Sequence, residues 1–190
     1  MQIQRLEIDG LLLITPSKHG DERGFFSEVF RADVLALHGV DATFVQDNHA
    51  FSAQPGVLRG LHYQTPPSAQ GKLVHCTRGA VLDVAVDIRR GSPTFGKHVG
   101  VELSAANWRQ FWVPPGFAHG YVTLEPNTEV LYKVTTYYDP VAERGVAWDD
   151  PALGIDWRLS ASQVILSAKD QRNPPLSEVD VPFTYEAALR

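Results

Sequence analysis

His62 and His119 stand in the two stretches whose residue types most invite chemistry. His62 lies in GVLRGLHYQ (56–64), three residues after Arg59 and two after Gly60. His119 falls in PPGFAHG (114–120), where two prolines and a glycine hold the chain in a turn just before a strand. A histidine pair in a β-protein suggests a metal first. Such a site takes three or four ligands from His, Cys, Asp or Glu. The position two after His62, on its own face, is Gln64, a neutral amide and a poor ligand. Glu129 or Glu102 could fill the gap, but no spacing demands either, so no metal is expected. Acid–base chemistry is the second idea. Lys72 opens the strand after TPPSAQG, and Tyr132 sits mid-strand in EVLYKV. A phenol there is either a core tyrosine with its hydroxyl at a rim or a proton donor inside a pocket. Anion binding is the third. Arg23 in DERGFF and Arg59 are each unremarkable as solvated arginines. With Phe25, Phe26 and Tyr138 they could grip a diphosphate and stack a base.

The remaining histidines have plainer readings. His38 ends a helix, His19 and His98 lie in polar surroundings, and His75 is a packed core residue or one pointing inward. Cys76 is the single cysteine, in an apolar run, so no intrachain disulfide is expected and a core role suits it.

These residues must be positioned mostly by strands. AVLDVAVDI (80–88) puts Ala80, Leu82, Val84, Val86 and Ile88 on one face and Val81, Asp83, Ala85 and Asp87 on the other. Further strands are expected at 2–8, 10–15, 43–51, 57–64, 72–78, 98–103, 110–114, 119–124, 129–138 and 163–167, with Gly or Pro in most gaps. Only RADVLALHG (31–39) reads as a helix, stopped by Gly39, with a further turn of helix near SEVD or YEAA in the tail. Many short strands with few helices argue for an antiparallel sandwich or barrel able to enclose a ligand. The length suits one domain, 1–190. Residues 139–161 and an irregular C-terminal extension, about 171–190, would wrap the barrel or a partner subunit.

Apolar residues make up 44% and charged residues 21% of the chain, an ordinary folded composition. A net charge of −5 argues against nucleic acid as a partner but leaves room for an anionic small molecule held by a local arginine cluster. No apolar run approaches the length of a membrane helix, and MQIQRLEIDG lacks a signal-peptide pattern, so a cytoplasmic location is expected.

Longer motifs carry more than any single histidine. DERGFFSEVF, FVQDNHAFS, GVLRGLHYQ, GKLVHCTRGAVLDVAVDIRRGSPTFGKHVGVELS, FWVPPGFAHGYVTL, LYKVTTYYDP, ERGVAWDDPALGIDW and ILSAKD, in that order from about residue 10 to 175, resemble the dTDP-4-dehydrorhamnose 3,5-epimerases, the sugar-nucleotide branch of the cupin superfamily. The resemblance implies a mainly β fold, a cupin jelly-roll barrel with a few short helices. It implies a homodimer with exchanged strands. The implied activity is a metal-independent epimerisation, with no cofactor, of dTDP-4-keto-6-deoxy-D-glucose at C3 and C5. PPGFAH looks like the second cupin box. In the first, Gln64 stands where a histidine is usual, which agrees with the argument against a metal.

Carried over by motif, His62 matches the catalytic base, Asp170 in LSAKD the carboxylate that orients it, Tyr132 the proton donor and Lys72 the group near the keto oxygen. Arg23, Phe26, Glu28, Gln46, Asn48, Arg59, His119, Glu143 and Lys169 match substrate-binding positions, and Tyr138 lines the nucleotide site. Asp83, a carboxylate in an apolar strand, is a rival orienter of His62; otherwise it is a hydrogen-bonded rim residue. His75 departs from the family pattern. Relatives that act at C3 only or C5 only share nearly all these residues. A non-catalytic sugar-nucleotide-binding cupin and a metal-dependent cupin are the alternatives of a different class.

Arg59 and His62 can face one site only if the strand is irregular, because a period of two cannot deliver residues three apart. A bulge or kink at Gly60 is therefore expected.

Overall fold

The computed structural model describes residues 1–186 of the 190. The alternation of 80–88 becomes β8 (Ala80–Asp87), every residue of which is buried. One face of it, Leu82, Val84 and Val86, packs under the C-terminal segments with Leu153, Trp157, Leu176 and Val181. The other, Val81 and Ala85, faces Val74, Phe111 and Val130 across the interior. β8 is thus covered on both of its faces.

β8 belongs to a five-stranded antiparallel sheet ordered β13-β6-β11-β8-β9. Its other members are β6 (Leu58–Gln64), β9 (His98–Ser104), β11 (Phe117–Thr123) and β13 (Glu143–Gly145). A six-stranded antiparallel sheet, β1-β2-β10-β7-β12-β5, faces it. It is built from β1 (Gln2–Arg5), β2 (Leu12–Thr15), β5 (Gln46–Ser52), β7 (Lys72–Arg78), β10 (Gln110–Val113) and β12 (Thr128–Val134). The core between the sheets is the sandwich expected from the pattern. On the far side of the larger sheet, Leu35 and Val40 cover Leu12, Ile14, Leu73 and Trp112.

Some elements differ from the sequence reading. The helix is α1 (Ala32–Ala36), shorter than 31–39, and the chain turns on to Gly39 at φ +91°. Residues 163–167 form no strand; Ile165 makes one parallel bridge to Val57. A hairpin of β3 (Lys18–Asp21) and β4 (Gly24–Ser27), paired only with itself, was not expected. The tail holds a short 3-10 turn at Leu176–Glu178, overlapping SEVD, while YEAA runs beyond the described residues. The extension lies on its own barrel: Val181 is buried and Phe183 packs edge-on to Tyr63. Cys76 and His75 are both buried. Among the described residues, no helix is long and apolar enough to cross a membrane.

Candidate active site

β6 carries the irregularity that the spacing of Arg59 and His62 demands. His62 pairs with His119 of β11, but Arg59 pairs with Tyr121, so Gly60 and Leu61 face Gly120 alone. That two-against-one count is a β-bulge. Its consequence shows on both faces. Leu58 and Leu61, three apart, enter the same apolar cluster, while Arg59 and His62, three apart, line the same cleft. Gly60 has φ +137°, and a Cβ there would lie 2.5 Å from Gly120 Cα. Gly120 is constrained in turn, since its Cβ would meet the Arg59 carbonyl oxygen at 2.7 Å. Both strands need glycine for this approach.

The cleft has a volume of about 480 Å³, within the range of small-molecule sites. The bulged strand delivers His62 to it. His62 Nε2 lies 2.5 Å from Asp170 Oδ1, although the two residues are 108 apart in sequence. Asp170 is buried at the start of a 3-10 turn, Asp170–Arg172. Burial pushes its carboxyl up, but the hydrogen bond and charge of His62, the Ser167 hydroxyl and the Lys169 charge outweigh that and hold it below its ordinary value. An ionised carboxylate only accepts, so His62 Nε2 carries the proton in this pair and Nδ1 is left as the basic nitrogen.

Asp83 takes a different place from either expectation. It is fully buried inside the sandwich, not at a rim, and its Oδ1 lies 2.7 Å from His119 Nε2. It therefore does not orient His62. Two His–carboxylate pairs thus sit on adjacent strands, since His62 and His119 are register partners. Burial pushes the His119 imidazole down from its ordinary value, against the pull of Asp83.

Lys72 opens β7 and its Nζ lies 3.4 Å from the His62 carbonyl oxygen. Burial lowers its ammonium to about 8, with Asp83 and Glu143 resisting. It remains mostly charged at neutral pH. Tyr132 of β12 also lines the cleft. Burial raises its phenol, opposed by Arg59, so it holds its proton at neutral pH. At the mouth, Glu143 accepts from the Tyr138 hydroxyl at 2.7 Å and pairs with the Lys169 ammonium.

The structure thus gathers His62, Lys72, Tyr132, Asp170, Arg59, His119, Tyr138, Glu143 and Lys169 around one cleft. Gln46 lies beside it, accepting from the Tyr138 backbone N–H at 3.1 Å and donating to Asn48. Asn48 instead lines a smaller groove with His75 and Gln110. Arg23, Phe26 and Glu28 are not among the lining residues of the cleft. Arg23 and Phe26 project from the β3–β4 hairpin, 85% and 71% exposed, and Glu28 follows it. Gln64, at the cupin-box position, is used as a clip: its amide binds the Ser68 and Tyr137 carbonyls and the Asp139 N–H. Among the described residues, no group of three or more His, Cys, Asp or Glu is placed to hold a metal ion. The sequence reading missed Ser167 and the Asp83–His119 pair. A serine three before Asp170 was the available signal for the first.

A family model described as dTDP-4-dehydrorhamnose 3,5-epimerase matches residues 5–178. The chain belongs to the dTDP-4-dehydrorhamnose 3,5-epimerase family. A dTDP-4-dehydrorhamnose 3,5-epimerase of Sinorhizobium fredii is 54% identical over 97% of this chain and 94% of its own length. The crystal structure of the dTDP-6-deoxy-D-glucose-3,5-epimerase of Legionella pneumophila, in complex with dTDP-4-keto-L-rhamnose, superposes with a TM-score of 0.93 at 50% identity, covering 98% of this chain and 99% of that one. ChmJ, a 3'-monoepimerase of Streptomyces bikiniensis solved with dTDP-quinovose, has a TM-score of 0.85 at 36% identity, covering 90% and 86%. The mainly β sandwich expected of the family is the fold observed.

Proposed function

We propose that the protein is an epimerase of dTDP-4-keto-6-deoxy-D-glucose, inverting C3 and C5 to give dTDP-4-keto-L-rhamnose. The observation that carries this is the His62–Asp170 pair in a cleft that also presents the Lys72 ammonium and the Tyr132 phenol. C3 and C5 both flank the C4 ketone, so a proton on either is acidified by it. Removing that proton places negative charge on the keto oxygen. The step needs a base at carbon and a fixed positive donor at oxygen. His62 Nδ1 takes the proton, and Asp170 stabilises the imidazolium. Lys72 meets the enolate oxygen. Tyr132 returns a proton to the opposite face of the carbon, which inverts it. Arg59 holds the diphosphate, with Lys169 and Glu143 at the mouth and Tyr138 against the nucleotide base. The greater identity to 3,5-epimerases than to a 3'-monoepimerase supports action at both carbons. NMR of the product tests it: a dTDP-4-keto-L-rhamnose configuration is expected, and inversion at C3 alone or no product contradicts it.

Lys72 adds a pH signature. Only its ammonium can stabilise the enolate, and that form is lost as pH rises through about 8. The kcat/KM profile is therefore expected to fall on its alkaline side near that pH, well below ordinary lysine. Lys72→Met is expected to cost roughly 10²–10³ in kcat and to remove this limb. A profile flat to pH 10 would contradict the role.

The same reading includes a homodimer in which the β3–β4 hairpin reaches a second copy, bringing Arg23, Phe26 and Glu28 to its nucleotide. A two-stranded hairpin is marginal alone, and this one exposes Phe25 and Phe26. Sedimentation equilibrium is expected to give twice the 21.0 kDa chain mass; a monomer at micromolar concentration would overturn it.

A further inference from the structure

Asp170 has two carboxylate oxygens, and only one touches His62. The other, Oδ2, accepts a hydrogen bond from the Ser167 hydroxyl at 2.9 Å. The same hydroxyl oxygen accepts the Asp170 backbone N–H at 3.1 Å. A serine hydroxyl has one proton. With its oxygen engaged by the Asp170 N–H, that proton is committed to Oδ2. The carboxylate is thereby fixed at both ends: Oδ2 by Ser167, Oδ1 by His62 Nε2. The Asp170 side chain is only 5% exposed, so water cannot readily substitute for a lost donor. Ser167 itself lines the cleft and is exposed as a residue, so its side chain can be changed with little repacking.

We propose that Ser167 is the positioning residue of the His62–Asp170 pair, locking the carboxylate so that Oδ1 faces His62 and the imidazole is held as the Nε2–H tautomer. The proposal rests on His62 being the base, since that tautomer leaves Nδ1 free to take the substrate proton. Without the hydroxyl, Oδ2 loses its partner, the carboxylate can turn, and the ring samples the Nδ1–H form, which cannot accept a proton at Nδ1.

The test is Ser167→Ala, read in two ways. Long-range ¹H–¹⁵N NMR of the substrate-free protein is expected to show His62 as the Nε2–H tautomer in the parent and a mixture in the variant. Turnover is expected to fall about tenfold in kcat, the fold-change for losing one hydrogen bond to a charged group, with KM nearly unchanged. Ser167→Thr keeps the hydroxyl and is expected to restore both readouts. Ser167→Cys, a weak donor of similar size, should behave like the alanine variant and serves if that one is poorly folded by thermal melting. An unchanged tautomer in the folded variant overturns the proposal, and so does a kcat within twofold of the parent. If the parent protein shows no turnover at all, the epimerase reading fails. The substrate-free tautomer measurement still decides the role of Ser167.

Discussion

His62→Ala is expected to lower the rate of C–H exchange by roughly 10²–10⁴, the usual worth of a positioned general base. The loss should fall on kcat, because in the proposed mechanism the imidazole is used mainly in the transition state and the groups proposed to bind the nucleotide diphosphate, Arg59, Lys169 and Tyr138, are untouched. His62 is 23% exposed and sits at the cleft wall, so its removal should leave the thermal midpoint close to the parent's. Asp170 would then keep its Ser167 hydrogen bond but lose the Nε2–H donor, so its carboxyl should rise toward the ordinary value. The same substitution at His119 is expected to act differently. His119 is paired with the fully buried Asp83, so its loss strands a carboxylate in the core and should cost stability as well as rate. Stopped assays by ¹H NMR at saturating and limiting substrate separate kcat from KM. A His62→Ala protein exchanging at more than a tenth of the parent rate would remove His62 from the role of base.

Gly60→Ala is the second large effect, and it links fold to site. The new Cβ would fall 2.5 Å from Gly120 Cα and 3.0 Å from the His119 carbonyl oxygen, both backbone atoms. The residue would also be held at φ +137°, which L side chains rarely adopt. Overpacking and backbone strain each cost about 1–3 kcal/mol, so a destabilisation of about 3 kcal/mol is expected. For a domain of this size that lowers the thermal midpoint by roughly 6–12 °C. If the strand relieves the clash by losing its bulge, a period-two strand parts Arg59 from His62. Activity should then fall further than stability alone would require. Calorimetry with a parallel rate measurement checks this. A variant with parent-like midpoint and rate would show that the bulge does not depend on glycine.

The bulge was legible once the family motifs put both Arg59 and His62 at one site, because a period of two cannot deliver residues three apart to the same face. β8 was legible from its alternation, although both of its faces are buried. The β3–β4 hairpin was not: KHGD is polar and exposed, and the two apolar residues of GFFS are adjacent and exposed instead of alternating, so neither strand has a buried face for a pattern to mark. The three-residue β13 is too short to show a period. VILS at 164–167 has strand composition but meets only one bridge, because neighbouring chain and not propensity decides pairing. The His62–Asp170 contact spans 108 residues and no local spacing encodes it; the family motifs pointed to it. Asp83 and His119 meet diagonally across β8 and β11, where the register sets Asp83 opposite Tyr121 and His119 opposite Ala85, and the sequence does not state that register. Ser167 sits three residues before Asp170, near enough to be noticed, yet serine in a loop has too many ordinary uses to single out.

The central claim is that the cleft removes and returns protons at the carbons beside the ketone. Deuterium uptake tests it directly. The purified protein is incubated with dTDP-4-keto-6-deoxy-D-glucose in D₂O, and the hydrogens at C3 and C5 are followed by NMR. The account predicts loss of both signals, one deuterium at each carbon, and a product with both centres inverted. Retention of both protons in the presence of active, folded protein would contradict it.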